Sequence, residues 1–174
     1  MSAEENSYNL INLNNNNKIN ADDKSSMPYN LEAEQSFLGA ILFDNTTIEN
    51  IMDLIKDYHL YEPLHQEIYQ ACLILFDNNK LADPTTLKGY LKDKNPNRKI
   101  DISDYLNKLK GSVLSISNIN SYANEIKNCY LRRCLVRISD DIKEDSLNIK
   151  IDTSPEDLIE RAEESLFNLA EKDK

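Results

Sequence analysis

From Ile119 to Leu147 the chain runs without a glycine or a proline. Within that run Ile119, Tyr122, Ile126, Tyr130, Cys134, Ile138 and Ile142 recur at steps of three and four. At about 100° per residue these positions form one stripe, so the segment is predicted as a long amphipathic helix. A second helical segment follows in "IDTSPEDLIERAEESLFNLAEKDK". Ser154 is its candidate cap, Pro155 its first helical residue, and Glu156 and Asp157 suit the positive end of a helix dipole. Leu158, Ala162, Leu166 and Leu169 then line one side. Two helices joined by a short loop make an αα-hairpin. Leu131, Leu135, Ile159, Phe167 and Ala170 lie off those stripes. A lone hairpin hides only one stripe of each helix, so the surplus needs either the rest of the chain or a second copy. At about 25 cal/mol per Å², a few leucine-sized side chains left in water forfeit several kcal/mol. Self-association is the favoured reading; packing of the hairpin on its own body is the alternative.

The whole 174-residue chain has only three glycines and five prolines. Strand-rich chains consume both in turns, so an all-α fold is expected: a body of five or six short helices followed by the hairpin. Residues 1–27 hold eight asparagines and few apolar groups, the composition of a disordered tail. Residues 28–112 are read as the body and 113–174 as the hairpin of the same domain. In the body Asn30 is placed to cap a first helix, and Thr46 and Glu49 have the spacing of a capping box. Pro63 starts a helix that runs to about Asn78. Asp83-Pro84 starts another, and Asp101 or Ser103 caps a short one carrying Tyr105, Leu106 and Leu109.

A search for chemistry finds little. Gly39, Gly89 and Gly111 are followed by Ala40, Tyr90 and Ser112, so there is neither a phosphate-cradling loop nor a dinucleotide fingerprint. His59 and His65 have no cysteine near them and are read as capping or packing residues. Cys72, Cys129 and Cys134 read as half-buried thiols of a cytoplasmic protein. Lys127, Arg132, Arg133 and Arg137 sit beside acids and are expected to pair within their helix. A net charge of −10 disfavours tight nucleic-acid binding, and no apolar run approaches membrane-span length.

The residues together resemble the N-terminal domain of the bacterial replicative helicases of the DnaB family. The likeness begins at "PYNLEAEQSFLGAILFDN", with its opening proline, Glu-Ala-Glu-Gln and Leu-Gly. It continues through "LYEPLHQEIYQACLIL", "DPTTLKGYL", "DYLNKL" and "NINSYANEIKNCYLRR" to "SPEDLIERAEESLFNLAE". It covers about residues 28–172. One departure is "IDISDYL", where the family usually has two glycines before the Tyr-Leu helix.

The resemblance implies a non-catalytic collar domain. Its hairpins pair, giving a trimer of dimers in a hexameric ring, and its surface receives primase and a helicase loader, while DNA is touched weakly or indirectly. No cofactor is implied for this chain; ATP and Mg belong to a RecA-like ATPase domain that follows in the family and is expected outside these 174 residues. Ile119, Tyr122, Ile126, Leu131, Leu135, Ile138, Leu158, Ala162 and Leu166 are the candidate hairpin core and self-association residues. Tyr105 and Leu109 are candidates for a primase-facing surface, with ordinary core packing as the alternative. Gly39 is read as the point where a neighbouring helix approaches closely. A generic helical adaptor, such as the related domain at the end of bacterial primase, is the alternative function.

Overall fold

Short polar side chains begin most of the helices. Asn30 Oδ1 accepts from Ala33 N at 3.0 Å and opens α1, Leu31–Phe43. Asp83 Oδ1 accepts from Thr85 N and Thr86 N and opens α4, Pro84–Lys94. Asp101 does the same for Ser103 N and Asp104 N before α5, Ile102–Gly111. Each cap satisfies amides that the first turn leaves without an intrahelical partner. The computed structural model describes residues 27–94, 101–112, 118–148 and 153–172. Most of the expected 1–27 tail therefore lies outside the described residues.

The remaining helices are α2, Ile48–Ile51, α3, Pro63–Asp77, α6, Ile119–Leu147, and α7, Pro155–Lys172. No strand occurs among the described residues, and the fold is all-α as expected. The start of α2 differs from the capping-box reading. Asp44 is the cap: its Oδ1 accepts from Thr46 N at 3.0 Å and from the Thr46 hydroxyl at 2.7 Å, and a single 3-10 turn leads into α2. The acid two residues upstream takes the Thr46 amide and hydroxyl, the amide being the one that the Glu49 carboxylate would reach in a capping box. Helix α3 ends with Asn79 in the left-handed region at φ 53°. Lys80 N donates to Leu75 O and Asn79 N to Phe76 O, a Schellman ending with asparagine in the usual glycine place.

The core is built around α1, which is buried on every side from Phe37 to Leu42 and packs against α3, α5 and α6. Phe37, Leu38 and Ile41 of α1 meet Ile48, Ile51, Ile68, Tyr69, Leu87, Leu106 and Leu109, all fully buried. Phe37 and Tyr69 pack edge-on with centroids 5.3 Å apart, and Tyr69 donates its hydroxyl to Ile55 O. Burial pushes the Cys72 thiol up to about 12. Cys72 and Cys129 are buried, rather than half-buried as expected, and all three cysteines are free. Asn45 pins the turn before α4 to the end of α1, donating to Ile41 O and Ala82 O and accepting from Ala82 N.

A polar chain runs through this apolar core. Glu34 on α1 accepts from the amides of Tyr61 and Glu62, just ahead of α3. Helix α3 has no side-chain cap of its own, so this carboxylate from another helix supplies the acceptors and the negative charge that its N-terminus favours. Glu34 Oε2 also meets His65 Nδ1 at 2.6 Å, both side chains 2% exposed. With Nδ1–H donating to Glu34, Nε2 accepts from the Tyr105 hydroxyl at 2.6 Å, and Gln35 Nε2 donates to that hydroxyl at 3.4 Å. Three separated segments of the sequence are thereby locked together: α1, α3 and α5.

Glu34→Ala is expected to cost about 3–5 kcal/mol, because it strands two amides and an imidazole away from water; urea unfolding followed by circular dichroism measures it. Phe37→Ala should cost a similar 3–5 kcal/mol through cavity formation. Phe43→Ala, at a site 57% exposed, should stay within about 0.5 kcal/mol.

Candidate interaction surface

Helix α6 changes neighbours along its length. Ile119, Ala123, Ile126 and Cys129 are buried against the body, where α1 packs on α6. Arg133 marks the end of that contact. It is 4% exposed, and its guanidinium donates to Pro28 O at 2.9 Å and His59 O at 2.6 Å. The guanidinium carbon also lies over the rings of Tyr61, at 5.5 Å, and Tyr130, at 5.8 Å. Burial pulls the guanidinium below its ordinary pKa while Glu34 opposes the shift. The expectation that Arg133 pairs within its own helix is therefore corrected: its partners are carbonyls 105 and 74 residues away. An arginine matches them because its planar fork can reach two acceptors at once. Around it, Tyr29 stacks on Tyr61, and His59 packs against Tyr58 and Tyr130 while its Nδ1 accepts from Lys56 N. Both histidines thus do capping or packing work.

Beyond Arg133 the helix leaves the body and keeps α7 as its neighbour. Ser154 and Asp157 start α7 with a reciprocal box, Ser154 N donating to Asp157 Oδ2 and Asp157 N to Ser154 Oγ. Those bonds hold the Asp157 carboxyl below the usual carboxylate range. Ile138, Leu158 and Ala162 face one another between the two helices, lining a hollow of about 50 Å³ that Ile142, still 38% exposed, borders from the open side.

The structure divides the candidate hairpin residues into three groups. Ile119 and Ile126 are buried in the chain's own core, with Tyr122 packed against it. Leu131, Ile138, Leu158 and Ala162 are half-buried. Leu135 and Leu166 are 47% and 45% exposed. Leu166 does not share the inner side of α7 with Leu158 and Ala162. Eight residues past Leu158, it has drifted about 80° round the helix, onto a stripe with Ile159, which is 59% exposed. Leu135 is two residues past Arg133, about 200° from the side that grips the body. The hairpin therefore has an open apolar face directed away from the body, built from Leu135 and Ile142 on α6 and Ile159 and Leu166 on α7. Phe167, 65% exposed, stands at its edge.

Tyr105 and Leu109 correct another expectation. They are 3% and 0% exposed, held in the core by the His65 contact and by apolar packing, and so offer a partner no surface on this chain. Gly39 is buried on α1, whereas the sites of Gly89 and Gly111 are open. Among the described residues no three His, Cys, Asp or Glu side chains converge on a metal-sized site, and no helix is long and apolar enough to cross a membrane.

Comparison with known proteins identifies the architecture. Residues 26–128 match the family model of the DnaB-like helicase N terminal domain. The chain is 30% identical over 165 residues to the replicative DNA helicase DnaB of Rickettsia bellii, covering 91% of this chain and 33% of that protein. It is 28% identical over 145 residues to the replicative DNA helicase DnaC of Bacillus subtilis, covering 83% and 32%. The chain thus spans about a third of the length of these curated relatives. The crystal structure of the N-terminal domain of DnaB helicase from Mycobacterium tuberculosis is similar at a TM-score of 0.74 and 26% identity, covering 82% of this chain and 99% of that one. A structure of a DnaB-like replicative helicase and its interactions with primase shares the fold at a TM-score of 0.63 and 24% identity, over 80% of this chain and 31% of that one. Between the helicase domain and the primase-terminal alternative the family match decides: the chain belongs to the family of DnaB-like helicase N-terminal domains.

Proposed function

We propose that this domain is a non-catalytic collar element of a replicative helicase, pairing with a second copy through the open face of its hairpin. The observation that carries the reading is that face itself. Leu135, Ile142, Ile159 and Leu166 present apolar surface on the side of the hairpin opposite the body. A second hairpin laid against it completes a four-helix bundle, in which each stripe faces apolar side chains instead of water. Ile119 and Ile126 do not join that contact; with Arg133 they seat the hairpin on its body, so that pairing of hairpins also fixes how two bodies are disposed. Three such pairs make a sixfold collar in the reading taken from the family.

Primase is the proposed docking partner, and a helicase loader a further one. Support comes from the shared fold with the DnaB-like helicase whose structure was described together with its interactions with primase. Because Tyr105 and Leu109 are buried, primase is assigned to surface formed by the body and the paired hairpins. DNA passing through a ring would meet a domain of net charge −10, so direct contact through this chain is weak. ATP, Mg and the unwinding reaction are assigned to a RecA-like domain outside these residues.

Leu135→Asp places a charge at the middle of the proposed contact. It should raise the dissociation constant of self-pairing by about tenfold or more and leave the circular dichroism spectrum unchanged, since Leu135 is 47% exposed. Sedimentation equilibrium measures the first quantity. Unchanged association of the variant rules the hairpin face out as the contact. Immobilised chain should capture the cognate primase, and failure at high micromolar concentration removes the docking assignment.

A further inference from the structure

The apolar face of the hairpin is bordered on α7 by charge of one sign, whereas on α6 the exposed Arg132 lies three residues before Leu135 and the exposed Lys143 next to Ile142. On α7, Glu163 lies four residues past Ile159 and three before Leu166, within the apolar stripe itself. The exposed ring of Phe167 has Glu163 and Glu164 four and three residues before it and Glu171 four after it, the spacings at which helical side chains are neighbours. Glu156, Glu160, Glu163 and Glu164 are all exposed. The imbalance lies on α7, which carries six carboxylates and two cations. Over residues 131–172 there are eleven carboxylates and seven cations, a net charge of −4, and one of those cations, Arg133, is buried against the body. In whatever orientation two copies meet, there are too few cations to give each acid an opposite partner. Arg161 lines the groove between α6 and α7 together with Asp141 and Asp145.

Resting on the self-pairing proposed above, we infer that the hairpin contact is opposed by its own charge and that ionic strength sets how far it forms. The apolar stripes attract at contact; the glutamates of α7 repel at a distance. The repulsion between exposed charges acts over about 10 Å at 0.1 M salt and about 30 Å at 0.01 M, so low salt separates the copies and moderate salt lets the apolar faces meet. The occupant is a second copy because Leu135 and Ile142 on α6 and Ile159 and Leu166 on α7 leave one continuous apolar face that an identical hairpin can cover in full, and the acids of α7 make that pairing conditional. The sign is unusual: contacts held by cross-partner ion pairs weaken as salt rises, whereas this one tightens.

The test uses the whole chain and sedimentation equilibrium between about 20 mM and about 500 mM sodium chloride, a range over which the screening length falls severalfold. The dissociation constant of the parent should fall about tenfold or more across that range. A second protein carries Glu160→Gln, Glu163→Gln and Glu164→Gln, exposed changes that leave the helix formers in place. It should pair about tenfold more tightly than the parent at the low-salt end and respond much less to salt. Pairing of the parent that weakens with salt, or neutralised chains that pair no better than the parent at low salt, overturns the charge inference while leaving self-pairing intact. Parent and neutralised chains that both remain single at every salt concentration overturn self-pairing and the inference together.

Discussion

A carboxylate held away from water organises this domain. Glu34 sits in the first turn of α1, where its oxygens meet two amides ahead of α3 and an imidazole within α3, and that imidazole carries the contact on to the Tyr105 hydroxyl of α5. Apolar packing alone would let short helices slide, since each is too brief to be stable by itself and leucine-rich faces tolerate several registers. A buried ion with specific partners does not tolerate that, because displacing it leaves charge and amides unsolvated. The acceptor capacity of one side chain therefore sets the mutual positions of three helices around the core of Phe37, Leu38 and Ile41.

The same logic extends to the hairpin. The turn that holds His59 leads directly to the amides gripped by Glu34, and Arg133 on α6 takes His59 O and Pro28 O as its acceptors. A guanidinium between two tyrosine rings fixes both the rotation and the height of α6 at that level, because its donors lie in one plane. Helix α6 spans 29 residues, about 44 Å at 1.5 Å per residue. About half of that length is seated and the remainder extends beyond Arg133 with α7 beside it. The open apolar face is thus carried at a defined angle from a rigid base, which is what the proposed contact between two copies would require.

What could be read from the sequence was mostly local. Asn30, Asp83, Asp101 and the Ser154-Pro155-Asp157 start were legible because a cap and its amides lie within three residues. Asp44 displaced Thr46 as a cap for the same local reason, one polar side chain competing with another. Arg133 was misread because its neighbours in sequence are charges, whereas its neighbours in space are carbonyls from distant segments. Glu34, His65 and Tyr105 each stood inside a segment singled out by resemblance, yet nothing in spacing could join residues 31 and 40 apart. Leu166 exposes a limit of periodic reading: steps of four drift from a 3.6-residue turn by about 40° each, and after two steps the residue has left the stripe it was assigned to.

The open face combines two interactions with different ranges, and this decides how it behaves when the domain is part of something larger. Burial of apolar stripes acts only at contact, whereas like charge on α7 acts across several ångströms of solvent. In the proposed pairing, two free copies would have to cross the repulsive region before the stripes met, which would weaken their association. Two copies held near each other by a further domain start inside that region at an effective concentration in the millimolar range, and the charge then costs much less than it does for copies arriving from bulk solution. On the proposed pairing, a surface of this kind would resist clustering with stray copies, for which the exposed Phe167 and Ile159 are otherwise a liability, and would close when an assembly brought its own copy alongside. Acidic residues beside an apolar stripe therefore make physical sense as a condition on when the contact forms.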